Sequence, residues 1–243
     1  MEKRLQVMGA FCLFLHHAHL TIEQRYAEPF KPRPDDLFHV DPKMLGGGAG
    51  AGLPALERLI SISMSSSSGT VMIDRNPIPH AVIECAVDLL DVTLLAEPEA
   101  VGLAALINQA LTAAFERSFS IAVVTGWSAS EFFLNKKWRG HYIGSLAERA
   151  DRPPTSKEKA FLEGPDFKAS VITQILRTAN LLTEEQVVSL DRVRKQRNAW
   201  AHSIESPTRA GAMEVVQLAI ELFGDAYGVM LQVNPEPSGN YAV

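Results

Sequence analysis

The chain has 243 residues, 47% of them apolar, and 23 Lys/Arg against 28 Asp/Glu give a formal charge of −5. That apolar content suffices for a sizeable core in one large or two modest domains, while the acidic balance excludes a protein that coats nucleic acid by charge alone. Two cysteines, Cys12 and Cys85, make no disulfide framework and fit reduced thiols in a cytoplasmic protein.

At the N-terminus Lys3 and Arg4 precede an apolar stretch over residues 5–15, as in a signal peptide. His16, His17 and His19 stand where small residues should mark cleavage, so a buried strand or helix is expected instead. No apolar run approaches the ~18 residues of a membrane-spanning helix, and no membrane partner is expected. Cys12 with the three histidines matches no metal-ligand spacing, and neither metal nor cofactor is implied.

Prolines 29, 32, 34 and 42, the Gly/Ala run 46–52 and the serines 65–68 break the rest of the first 95 residues into short apolar pieces. Residues 5–15, 59–64 and 71–73 read as short strands or single turns, giving an irregular α+β N-terminal region over 1–95. Gly46 to Gly52 lacks the Lys-Ser/Thr of a phosphate-binding P-loop and reads as a flexible connection. Pro79 then opens a helix over 80–95, with Val82, Ala86, Leu89 and Leu90 on one face.

From Pro98 onward the spacing is helical. Leu103, Leu106, Ile107, Ala110 and Leu111 mark one helix, and further helices are expected over 118–138, 166–182, 184–202 and 209–231. Thr183 before Glu184, Glu185 and Gln186 is a helix start, and Thr208 after Pro207 caps the last helix. Residues 151–165, with three prolines, read as a loop. The fold class is therefore mainly α. A C-terminal up-and-down bundle of four or five helices spans 97–233, and a disordered tail follows over 234–243.

Each of two helices carries one charge among apolar residues. On the helix over 118–138, Val123, Val124, Trp127 and Leu134 form a stripe that takes in Glu131. On the helix over 184–202, Leu190, Val193, Trp200 and Ile204 form a stripe that takes in Arg197. A lone buried charge costs several kcal/mol, so the two either pair or line a cleft. Arg197 opens the run Arg197-Asn198-Ala199-Trp200-Ala201-His202. Asn198 stands four residues before His202 and can orient its imidazole. A histidine titrating near neutrality can exchange protons with a ribose 2′-hydroxyl or a leaving 5′-oxygen, and a guanidinium can stabilise the phosphorane-like transition state. On a regular helix, however, Arg197 and His202 diverge by about 140°. They converge only if the helix distorts or a second copy supplies one of them.

The Arg–four–His motif, preceded by the helix carrying Ser128-Ala129-Ser130-Glu131-Phe132-Phe133-Leu134-Asn135, resembles the HEPN superfamily over residues 98–233. The resemblance implies a helical bundle in a homodimer, with both motifs in one cleft. It further implies metal-independent RNA cleavage, by 2′-hydroxyl attack to a 2′,3′-cyclic phosphate, in a toxin or phage-defence setting. Arg197 and His202 would be catalytic, Asn198 the polar motif residue and Glu131 a supporting acid. A non-catalytic module binding RNA, a nucleotide or a protein partner is the alternative. The same spacing recurs at Arg75–His80, where Pro77 and Pro79 forbid a helix interior. Some family toxins place a tyrosine two residues after the histidine, where an antitoxin nucleotidylates it; here that residue is Ile204. Residues 97–243 hold 15 Lys/Arg against 17 Asp/Glu, so contacts to RNA must be local. Arg194 and Lys195, with Lys136 and Lys137, are the candidates.

Overall fold

Residues 2–18 contain one β-branched residue, Val7, one glycine, Gly9, and no proline, so little in them resists a helix. In the computed structural model they form α1, Glu2–Ala18, which ends in a π-helical turn, His19–Glu23. The strand or single turn expected over 5–15 is thus helical. Its spacing places Ala10, Leu13, Phe14 and His17 together on a buried face.

The structure describes residues 2–23, 78–145, 155–162, 164 and 167–233. The remaining helices are α2 (His80–Ala96), α3 (Ala100–Phe115), α4 (Phe119–Lys137, running into a π-turn at Trp138–Ile143), α5 (Ser156–Leu162), α6 (Ala169–Thr178), α7 (Glu184–Ser203) and α8 (Arg209–Tyr227). Among the described residues there is no strand. The apolar pieces 59–64 and 71–73, the glycine run 46–52, Arg75 and the tail 234–243 lie outside them.

Helix α5 occupies what reads in sequence as loop. Thr155 and Glu158 form a reciprocal cap, with the Thr155 N–H donating to Glu158 Oε2 (2.8 Å) and the Glu158 N–H to Thr155 Oγ1 (3.3 Å). The Thr-x-x-Glu signal at 155–158 outweighs the nearby prolines.

One hydrophobic core runs through the described helices. Leu13, Phe14, Val82 and Ala86 pack in the same cluster as Ile107, Leu111, Phe133, Leu190 and Phe223. The division expected near residue 95 is therefore not a break in the core. The segment Glu2–Ile22 is long and apolar enough to cross a membrane by length and composition, although it is not an unbroken apolar run. Its face is closed by α3, where a Cβ on Gly9 would lie 3.0 Å from Ala105 Cβ.

Side-chain ties set the directions of the helices around the site. Gly126 of α4 meets Val215 of α8, and Lys137 meets Asp225, so these two helices run parallel. Gln196 of α7 meets Gly211, and Gln186 meets Asp225, so α7 runs antiparallel to both. The α4–α8 crossing is close because Ala122, Gly126, Ala129 and Ser130 present little side chain there. A Cβ on Gly126 would sit 2.6 Å from Val215 Cγ1.

Candidate functional site

Helix α7 starts as the sequence requires. Thr183 Oγ1 accepts from the Gln186 N–H (3.1 Å) while Gln186 Oε1 accepts from the Thr183 N–H (3.1 Å). Gln186, Val187, Leu190 and Val193 are buried. Arg197 lies four and seven residues beyond Val193 and Leu190, on the same face, but it is only half-buried. Every residue of α7 from Gln196 to Trp200 is half-buried, so the core thins beneath the motif. The direction expected for Arg197 holds; the depth does not.

The helix stays α-helical through the motif to Ser203. Arg197 and His202 therefore remain ~140° apart around the axis and ~7.5 Å apart along it. His202 is exposed in the last turn. Asn198 Oδ1 accepts from Arg197 Nη1 at 3.1 Å, so the amide steadies the guanidinium rather than the imidazole. Ile204 ends the helix in the left-handed conformation, φ 55° and ψ 26°, and is 76% exposed. That conformation is costly for a β-branched side chain.

Glu131 is half-buried, and among the described residues it makes no ion pair with Arg197. Two geometric facts explain this. The buried face of α4 centres on Ala122, Gly126, Ala129, Ser130 and Phe133, leaving Glu131 and the 42%-exposed Val124 together on its rim. The antiparallel register then sets Glu131 level with Leu190 rather than Arg197, about two helical turns or ~12 Å away along the axis. Neither charge is deeply enough buried to compel a partner.

The basic candidates are engaged in pairs. Arg194 and Lys195 share Asp191 (2.6 and 2.7 Å), and the Lys195 and Arg194 hydrogen bonds hold that carboxyl below the usual range. Lys136 pairs with Glu97, lies 3.7 Å from Glu99 and sits over the Tyr227 ring. Burial opposes its charge, but Glu97 raises its pKa on balance, and burial likewise pushes the Tyr227 hydroxyl up. Lys137 donates to Leu181 O (3.3 Å) and lies 3.4 Å from Asp225. Both lysines stand at the start of α7, whereas the motif stands at its end, about 25 Å along the axis. Trp138, between these lysines and Arg139, is buried. Its Nε1–H donates to Leu162 O (2.9 Å), and its ring stacks on Tyr142 and Phe167.

In sequence His17 counts only against a signal-peptide cleavage site and as a rejected metal ligand. Its Nδ1 accepts from the Gln232 N–H at 2.9 Å, tying the segment after α8 to α1. Burial lowers its pKa. No group of three or more His, Cys, Asp or Glu able to hold a metal occurs among the described residues. Compared with protein-family models, curated proteins and solved structures, the chain matches none.

Proposed function

We propose that the chain is a HEPN-type endoribonuclease that works as a cytoplasmic homodimer, with RNA as substrate and no metal in the reaction. One observation carries the reading: α7 presents Arg197 and Asn198 together at a thinly covered end of the core, with His202 exposed one turn on. A continuous α-helix cannot bring that histidine to its own arginine, so a second copy supplies it. Ile121, Val124 and Ile204 are exposed at the same end of the bundle and offer that copy an apolar surface. Burying Ile204 there would offset the strain of its backbone.

His202 of one chain takes the proton of the 2′-hydroxyl as that oxygen attacks phosphorus. The P–O5′ bond breaks as the His202 imidazolium returns that proton to the leaving 5′-oxygen, and Arg197 of the other chain stabilises the charged phosphorane. Asn198 fixes the guanidinium. Glu131, two turns away, does not touch the reacting phosphate.

The test is total RNA with EDTA, assayed for 2′,3′-cyclic phosphate ends, beside His202→Ala. Cleavage that survives EDTA and disappears in the variant is expected. Full cleavage by the variant would remove His202 from the mechanism. RNA binding without cleavage would favour a non-catalytic module, and in that case an antitoxin or defence-system partner is sought.

A further inference from the structure

Helix α2 is apolar around more of its surface than the fold covers. Only Val82, Ala86 and Thr93 are buried. Ile83, Val87, Leu90 and Leu94 recur at intervals of four, three and four residues, forming a continuous seam beside that buried face. Leu90 is half-buried, and Ile83, Val87 and Leu94 are 39%, 41% and 49% exposed. Four such positions over three turns match the ridge by which one amphipathic helix seats on another.

The charges beside the seam select what seats there. Glu84 and Asp91, seven residues apart, run along the next line of the helix surface, with Asp88 beyond them. Between Ile78 and Glu99 the chain has five carboxylates and no Lys or Arg. Glu97 is taken up by Lys136, whereas among the described residues Glu84 meets only His80 of its own helix, at 3.2 Å. Antiparallel pairing with a second copy of α2 is excluded by these charges, because it sets Glu84 against Asp91. An anionic lipid surface is repelled likewise.

We propose that the Ile83–Val87–Leu90–Leu94 seam of α2 is a docking site for an amphipathic helix with an apolar ridge flanked by lysine or arginine. The site is independent of the ribonuclease reading, because α2 carries none of the motif residues. The apolar ridge supplies the contact area, and the carboxylates Glu84, Asp88 and Asp91 set orientation and on-rate.

The probe is a fluorescein-labelled 18-residue Ala/Leu/Lys peptide with leucine at i, i+4, i+7 and i+11 and lysine on one flank. Controls are a scrambled peptide and a version with glutamate in place of lysine. Anisotropy with the full chain should show saturable binding of the lysine peptide alone. Binding should weaken roughly tenfold in the triple variant Glu84→Gln, Asp88→Asn, Asp91→Asn and in ~0.5 M salt. Val87→Asp, a substitution at an exposed position, should abolish binding while the circular dichroism spectrum stays unchanged. No saturable binding, equal binding of the scrambled or glutamate peptide, or undiminished binding by Val87→Asp would each overturn the proposal. So would concentration-dependent self-association abolished by Val87→Asp, which would make a second copy the occupant. Resistance of Val87→Cys to a maleimide in the native chain, mapped by mass spectrometry, would show that the chain covers the seam itself and would also overturn it.

Discussion

Single substitutions cannot tell whether Arg197 and His202 act within one chain or across two, but a mixed dimer can. Arg197→Ala removes one hydrogen bond, to Asn198, from a half-buried side chain. With no Glu131 carboxylate left unpaired behind it, the stability cost is about 1 kcal/mol. His202→Ala touches an exposed side chain and should cost less than about 0.5 kcal/mol. Both variants therefore fold, and each alone should lose roughly 10²–10⁴-fold in cleavage. In a heterodimer of the two, one site keeps the arginine of the His202→Ala chain and the histidine of the Arg197→Ala chain, while the other site has neither. Random pairing makes half the dimers mixed with one of two sites intact, so about a quarter of wild-type activity should return on co-expression. Heterodimers isolated through two different tags should show about half. Mixed dimers as inactive as the single variants would refute composite pairing across two chains, and a strict monomer at micromolar concentration would refute the dimer.

Gly126→Ala places a methyl 2.6 Å from Cγ1 of the fully buried, stiff Val215. The overpacking cost of ~1–3 kcal/mol should outweigh the ~1 kcal/mol gain in helix propensity, and Val215→Ala should reverse part of the loss in urea melts. Ile204→Gly relieves the left-handed cap and should stabilise the isolated chain by roughly 1 kcal/mol, while weakening the dimer if Ile204 lies in its interface. Because burial lowers the folded pKa of His17 below its ordinary 6.5, the neutral side chain's contribution is complete above that value. It is lost as pH falls from 6.5 through the folded pKa, and His17→Gln should flatten that part of the urea-midpoint profile between about pH 7.5 and 5. Lys136→Ala with Lys137→Ala should leave RNA affinity unchanged, because the paired lysines stand about 25 Å from the motif; a filter-binding loss would contradict the register of α4 and α7.

The helices after Pro98, apart from α5, are legible because their signals are local. Thr183 with Gln186 and Thr208 with Gly211 are caps written within four residues, and the observed ends follow them. Residues 5–15 misled because the region after them is rich in breakers, although the stretch itself holds no proline and spaces Ala10, Leu13 and Phe14 for a helix. The buried face of α4 misled in a different way. Large apolar residues point to a stripe through Val124 and Glu131; Val123, Trp127 and Leu134 of that stripe are buried, but Ala122, Gly126, Ala129 and Ser130 are buried too and turn the centre of the face away from Val124 and Glu131. Small side chains mark close helix crossings as surely as large ones mark packed cores, and a hydrophobicity pattern undercounts them.

The candidate site shows why opposite charges on two helices are weaker evidence than they look. A sequence prescribes the angle of a side chain around its own helix, and for Arg197 that angle was right, in line with Leu190 and Val193. It prescribes neither how much core lies beneath that angle nor the axial register of one helix against another. Those depend on tertiary contacts such as Gly126 with Val215 and Gln196 with Gly211, which are fixed only once the bundle closes. With that register, Glu131 is two turns from Arg197, and among the described residues Asn198 alone holds the guanidinium. The arginine is thus left half-exposed, with no internal acid paired to it among the described residues. That is poor design for a buried structural bridge and suitable for gripping an anion that arrives from outside, which is the physical reason to seek the missing histidine on a second chain.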